Sequence, residues 1–426
     1  DDACENSGDG GKRMKAKARL VVLGYSDPDA GDLNTKSPTM LRRSRQLLLQ
    51  FSTHRGLPLL KADAKAAFLQ GLATQGQRSI FGRPVEELRE AMGLDQHQLI
   101  QFLKAAYGLT IAPREFYMMV NDTLERLQLR RLKTDPCLWQ YVVEEDGKPK
   151  TLGIIGSHVD DFLMTGYEND PRWIDVLEKF HASMRWSPWE APPLNHCGVR
   201  LHQLPDFSWR MDQSDYCNEI NQIKQESNQK ELTPEELHQA RAVLGAVQWR
   251  VYQTGPQHAA KLGYFQSMLT KGDRSMVEGI NKMVREVHAQ KELGLHVYQL
   301  CAERDDDLTL VAWSDAALAN RPDLGSTGGY IIGFMHKQFT TGQRRGQVNV
   351  MSWGSHRLKR VCRSSLAAET QALAEAEQEL MYLRVQWWEM LGHKIDLTKA
   401  DETAKNVNAI IMVDAKALYD AANLLD

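Results

Sequence analysis

Two adjacent carboxylates, Asp160 and Asp161, stand at a sharp turn between two apolar runs, and no other pattern in the chain constrains its fold so tightly. Gly153-Ile154-Ile155-Gly156 leads into the turn and Phe162-Leu163-Met164 leads away from it. Both runs favour β-structure, so Val159-Asp160-Asp161 is predicted to be the tip of a hairpin. Like charges side by side repel, and an uncompensated charge taken out of water is costly. A divalent cation removes both problems, because Mg²⁺ prefers sites rich in carboxylate oxygen. Taken alone, the same residues also fit an ordinary exposed Asp-Asp turn.

With 426 residues, 42% of them hydrophobic, the chain is long enough for two or three domains, each with a buried core. Its 52 basic and 55 acidic residues give a net charge of −3, so any contact with nucleic acid must come from local patches. Three are visible: Lys12, Arg13, Lys15, Lys17 and Arg19; Arg357, Lys359, Arg360 and Arg363; and a weaker one at Arg126, Arg130, Arg131 and Lys133. A solvated face is the alternative for each of them. Six scattered cysteines without a Cys-x-x-Cys pair exclude a zinc finger or a disulfide framework and fit a reducing compartment. No run approaches about 18 consecutive apolar residues, which excludes a membrane-spanning helix, and the polar start is not a signal peptide. Because the first residue is Asp1 rather than Met, the sequence is expected to be a piece of a longer product.

Along the chain, residues 1–11 are expected to be disordered and Arg19 to Gly24 to form a short strand. Leu41 to Phe51 reads as a helix, Leu57 to Asp63 as a strand, and Ala64 to Leu69 as a helix stopped at Gly71. Gln98 to Leu103 is a predicted strand and Arg114 to about Leu129 a helix with Pro113 at its start. Cys137 to Val143 and Gly153 to Met164 complete a strand-rich core, and residues 212–300 read as a mostly helical connection. Beyond them, predicted strands at Leu308–Trp313, Gly329–Phe334 and Val348–Trp353 precede a long helix from Ser365 to about Leu391. A strand Ile410–Val413 and a short helix follow, the order of a separate mixed α/β domain.

Asp63 closes one predicted strand as Asp160 closes another, so neighbouring strands of one sheet could bring three carboxylates together. Such a group would suit two metals and an in-line displacement at phosphorus. Asp63 alone could equally be a helix N-cap. Five blocks then occur in order: Lys17-Ala18-Arg19-Leu20-Val21, Asp63-Ala64-Lys65-Ala66-Ala67-Phe68-Leu69-Gln70-Gly71, Leu103-Lys104-Ala105-Ala106-Tyr107-Gly108-Leu109, Ala112-Pro113-Arg114 and Val159-Asp160-Asp161. Together they resemble the reverse transcriptase of copia-type long-terminal-repeat retrotransposons. The resemblance implies a right-hand polymerase palm and fingers over residues 12–211, with Asp63, Asp160 and Asp161 as metal ligands. It also implies Phe68 beneath the incoming sugar and Lys17 and Arg19 at the triphosphate; core packing and an exposed strand are the respective alternatives. Two positions depart from the family: His158 where Tyr is usual, and Thr110-Ile111 where the family has Lys-Gln.

A second set of acidic residues lies in the C-terminal third. Asp315 and Asp414 end predicted strands. Glu369 begins the apolar stripe continued by Leu373, Ala376, Leu380 and Leu383, so it should face the sheet rather than water. Trp313-Ser314-Asp315, Ser326-Thr327-Gly328-Gly329-Tyr330, Ser352-Trp353 and Ser364-Ser365-Leu366-Ala367-Ala368-Glu369 resemble the ribonuclease H domain of the same retrotransposon class. The resemblance implies metal ligation by Asp315, Glu369 and Asp414, cleavage of RNA in RNA–DNA hybrids, and hybrid phosphates held by Arg357, Lys359, Arg360 and Arg363. It also places a closing helix and a fourth acidic or histidine group beyond Asp426.

The expected fold class is therefore multidomain, mixing α/β and α+β: palm and fingers to residue 211, a helical thumb or connection over 212–306, and an incomplete ribonuclease H-like α/β domain over 307–426. The expected cofactor is Mg²⁺, with Mn²⁺ as a substitute. Expected partners are an RNA template, a DNA primer, RNA–DNA hybrid and deoxynucleoside triphosphates, with no membrane. The family implies an intracellular location, in a cytoplasmic particle or the nucleus. A degenerate relic that only binds nucleic acid is the alternative, favoured by His158 and Thr110-Ile111.

Overall fold

The structure, a computed structural model, describes residues 20–71, 79–224, 231–269, 272–341 and 345–423. The segment 1–11 and the basic run from Lys12 to Arg19 lie outside the described residues. Three main sheets organise the rest. The first has the order Leu59–Asp63, Asp161–Gly166, Lys148–His158, Leu138–Glu145 and Arg130–Arg131, antiparallel throughout. Its strands carry nearly continuous buried apolar residues because helices cover them. One is Ala112–Arg126, with Pro113 in its first turn and Phe116, Tyr117, Val120 and Leu124 on its buried face. Another is Pro171–Ser183, which buries Trp173, Val176 and Phe180 at helical spacing. Trp173 lies across Gly153 and Gly166, where an added Cβ would come within 2.4 and 2.3 Å of the indole. Those two glycines make room for the helix.

The second sheet runs Leu295–Val297, Trp209–Asp212, Val199–Gln203 and Leu194–His196. Residues 212–300 are thus not helical throughout: the helices Ser214–Glu219, Pro234–Gln253, Ala259–Met268 and Arg274–Ala289 are bracketed by strands that pair with each other, Trp209 opposite Val297. Three residues are too few to leave a periodic signal. The third sheet has the order Asn349–Arg357, Thr327–His336, Leu308–Ala317 and Ala409–Met412. Its last pair is parallel, so the chain must cross over, and the helix Ser365–Met390 makes the crossing.

Two local expectations fail. Leu20 to Leu23 form no strand: Val22 N–H reaches Tyr107 O at 2.7 Å, the two backbones meet at Gly24 and Gly108 where a Cβ would not fit, and a 3-10 turn follows at Gly24–Ser26. The helix after Asp63 is only Ala67–Gln70, because the N–H groups of Ala64 and Lys65 are taken by Asp160 O at 3.0 Å and Arg185 O at 2.9 Å. Ala66 then turns in the left-handed region. Asp63 is therefore not a helix N-cap.

The helix Arg42–Arg55 explains how the sheets are joined. It is buried on every side from Ser44 to Thr53, although most of that segment is polar. The polar groups find partners in distant parts of the chain: Ser44 Oγ accepts from Gln386 at 2.8 Å, Arg45 donates to Gln253 at 2.8 Å, and Gln50 accepts from Asn349 at 2.8 Å. Leu47, Leu48 and Phe51 of this helix, Trp139 and Ile154 of the first sheet, and Leu310, Phe334 and Trp387 behind the third sheet form one continuous apolar core. Two members of the weaker basic patch also serve this junction rather than solvent. Arg130 donates to Gly392 O at 2.8 Å, and Lys133 donates to Ile395 O at 2.7 Å, both just past the end of the long helix. Among the described residues no helix is long and apolar enough to cross a membrane.

Candidate functional site

The hairpin tip forms as a tight connection: His158 and Asp161 are paired, leaving Val159 and Asp160 as the loop. Val159 takes φ +60°, costly for a β-branched residue and tolerated only where its surroundings hold it. One such restraint is the bond from Ala64 N–H to Asp160 O. Because Leu59–Asp63 pairs antiparallel with Asp161–Gly166, Asp63 lies directly opposite Asp161. Asp160 is exposed at the tip, and Asp63 and Asp161 are half-buried. Each of these two is held by a side chain from elsewhere: Ser187 Oγ donates to Asp63 Oδ2 at 2.8 Å, and Lys61 Nζ lies 3.1 Å from Asp161 Oδ1. Burial pushes the Asp161 carboxyl above its ordinary value; Lys61 opposes this, and Asp160 and Asp63 reinforce it.

Beneath the tip, the His158 ring meets the buried His196 ring edge to face at 6.1 Å. Burial first, then Arg45, His158 and Lys61, holds His196 well below the ordinary imidazole range, so it stays neutral. Phe68, in the short helix Ala67–Gln70, is half-buried, 5.2 Å from Tyr107 and 6.5 Å edge-on to Phe116. Lys17 and Arg19 lie outside the described residues.

The second set converges more closely. Asp315, Glu369 and Asp414 each offer an oxygen, and these oxygens all lie within 4.8 Å of one another; among the described residues no other group of three or more potential ligands is so close. Asp315 lies within the strand Leu308–Ala317, opposite Gly329, and Asp414 follows the strand Ala409–Met412 by two residues. The parallel pairing of those strands brings both to one edge. Glu369 sits in the second turn of the long helix, whose N-cap Ser364 accepts from Ala367 N–H. It is 7% exposed, in line with buried Ala372, Ala376, Leu380 and Leu383; Leu373 is only half-buried. Its carboxyl accepts from Ala316 N–H, yet Oε2 is buried without a partner. Burial and then Asp315, with Asp414, raise its pKa against the Ala316 bond.

Whether these residues suit a divalent cation can be judged from their own chemistry. A buried carboxylate oxygen with nothing to accept from, facing two further carboxylates, is the donor set that a hard cation satisfies. At the first site the donors are also all oxygen, and the Lys61 ammonium supplies a cation to Asp161. Both sets fit Mg²⁺. Of the basic residues that precede the long helix, Arg357 pairs with Asp323 at 2.9 Å, and Lys359, Arg360 and Arg363 are exposed. Lys61, Ser187 and the Ala316 N–H are contributors that sequence reading missed. Lys61 alone had a signal, standing two residues before Asp63 and so on the same strand face.

The chain spans about a quarter of the length of the curated relatives it matches. It is 24% identical over 392 residues to the retrovirus-related Pol polyprotein from transposon RE1 of Arabidopsis thaliana, covering 88% of this chain and 25% of that protein. The corresponding RE2 polyprotein of the same plant is 25% identical over 398 residues, with 88% and 25% covered. The polyprotein from transposon TNT 1-94 of Nicotiana tabacum is 28% identical over 156 residues, covering 36% and 11%. A solved structure of the foamy viral protease-reverse transcriptase in complex with RNA/DNA hybrid aligns with a TM-score of 0.46 at 12% identity, over 90% of this chain and 46% of that one. Residues 5–235, which include Asp63, Asp160 and Asp161, match the family described as reverse transcriptase (RNA-dependent DNA polymerase), more than half of the chain. The chain belongs to that reverse transcriptase family.

Proposed function

We propose that the chain copies RNA into DNA at Asp63, Asp160 and Asp161 and cleaves the RNA of the resulting hybrid at Asp315, Glu369 and Asp414. The observation that carries the first half is the apposition of Asp63 and Asp161 in register, with Asp160 at the adjoining tip, inside the family-matched region. The second half rests on three carboxylates within 4.8 Å whose buried member keeps an unpartnered oxygen.

Mg²⁺ bound at such oxygens, two ions at the polymerase centre, would ease deprotonation of the attacking hydroxyl or water and neutralise charge developing on phosphate. The remaining work falls to the chain's own side chains. The Lys61 ammonium pairs with Asp161, which lies opposite Asp63 on one face, and Ser187 orients Asp63. Ala316 N–H does the same for Glu369. Phe68, on the helix that follows Asp63, would pack under the sugar of an incoming deoxynucleoside triphosphate, and Lys17 and Arg19 would meet its phosphates. Arg357, Lys359, Arg360 and Arg363 would hold hybrid phosphates, a contact without base readout and sensitive to salt. The substrates are then an RNA template, a DNA primer and deoxynucleotides, and the RNA–DNA hybrid they produce.

Primer extension on an RNA template in Mg²⁺ tests the polymerase half. The unaltered chain should extend the primer, and Asp160→Asn/Asp161→Asn should reduce extension to background. Extension by neither chain, with hybrid binding retained by both, would leave a nucleic-acid binder in place of an enzyme.

A further inference from the structure

Lys61 occupies a position that a merely decorative lysine would not. Two residues before Asp63 on the same strand, it shares that residue's face and lies diagonally across from Asp161 on the neighbouring strand. Its backbone is fixed on the outer side, donating to Glu190 O at 2.8 Å and accepting from Glu190 N–H at 2.9 Å. The side chain therefore leaves a held point and reaches inward. Lys61 and Asp161 are only 15% and 27% exposed, and their charged atoms are 3.1 Å apart. The ammonium thus sits on one of the oxygens that would ligate a divalent cation.

We propose that Lys61 is a built-in counter-cation of the first carboxylate centre, which a divalent metal must displace from Asp161 before that residue can become a ligand. This rests on the reading of Asp63, Asp160 and Asp161 as a metal centre. Without metal, three carboxylates at a turn would repel one another, and Lys61 relieves that repulsion. With metal, the same positive charge opposes entry in two ways: it competes for Asp161 Oδ1, and it repels a second cation across a short distance where screening is incomplete. The flexible four-carbon stem lets the ammonium swing away once displaced, which a rigid guanidinium fork would resist. The consequence is a weaker metal site and a raised metal requirement, set by a residue that is not itself a ligand.

The test is Mn²⁺ binding followed by electron paramagnetic resonance of the free ion. It uses the full chain carrying Glu369→Gln and Asp414→Asn, so that the second cluster does not mask the first. In that background Lys61→Gln should bind Mn²⁺ roughly tenfold more tightly. The gain should shrink when Asp161→Asn is added, to the part owed to charge repulsion alone, because the residue being released is then gone. Lys61→Met, which keeps the stem and loses the charge, should reproduce the gain and guards against a local effect of Gln. Unchanged or weaker binding, no binding by any of the chains, or a gain undiminished by Asp161→Asn would overturn the proposal. Primer extension by the unaltered chain is scored separately. Extension without the Mn²⁺ gain removes this role of Lys61 and keeps the polymerase, and the gain without extension does the reverse.

Discussion

Glu369 is placed where folding alone would not put a carboxylate: on the buried face of a helix, 7% exposed, with Asp315 and Asp414 close by and Oε2 unpartnered. Its pKa is raised, so the folded chain holds that proton more tightly than the unfolded chain. Ionisation therefore costs stability as pH rises through and above the ordinary carboxylate value, and the cost fades below it. Glu369→Gln should accordingly raise the melting temperature at neutral pH, by roughly 1–3 °C. The difference should shrink in acid, and it should shrink or reverse in Mg²⁺, which stabilises only the chain with an intact site. Equal melting temperatures at every pH would mean that the three carboxylates do not repel. Asp161 is the counterpart with its remedy built in, since Lys61 supplies the charge that Glu369 lacks. Glu369's burial was legible because offsets along one helix suffice to read it. Ser187 was not, because it reaches Asp63 from 124 residues away in sequence.

Helices and strands were legible where their pattern is local. The hairpin around Val159-Asp160-Asp161, the strand to Asp63 and the long helix from Ser365 all follow from apolar spacing and turn chemistry. The helix Arg42–Arg55 shows the limit. Its existence was readable, but only the fold supplies Gln253, Asn349 and Gln386 as partners for its polar residues. For the same reason Arg130 and Lys133 looked like a basic patch and instead tie the first sheet to the end of the long helix. Asn349 is the sharpest probe of this junction. It donates to Gln50 Oε1 and Tyr298 O, each at 2.8 Å, and accepts from Tyr298 N–H at 2.7 Å, and its own side chain is fully buried. Asn349→Ala leaves those groups unsatisfied and should cost about 2–4 kcal/mol in urea unfolding. A loss below about 0.5 kcal/mol would mean that water replaces the contacts and the junction is looser than described.

Because the first sheet, the central helix and the third sheet share one core, the two carboxylate centres belong to a single packed body rather than to beads on a string. Such a body can lose one chemistry without losing the other, provided the substitution touches only ligands. The most direct test uses one RNA template annealed to a DNA primer, with the two strands labelled separately, in Mg²⁺. Three chains are compared: unaltered, Asp160→Asn/Asp161→Asn, and Glu369→Gln. Two independent centres predict that the unaltered chain lengthens the DNA and cuts the RNA, that the first variant only cuts, and that the second only extends. Loss of both activities from either variant with its fold intact, or neither activity in an unaltered chain that still binds the hybrid, would contradict it.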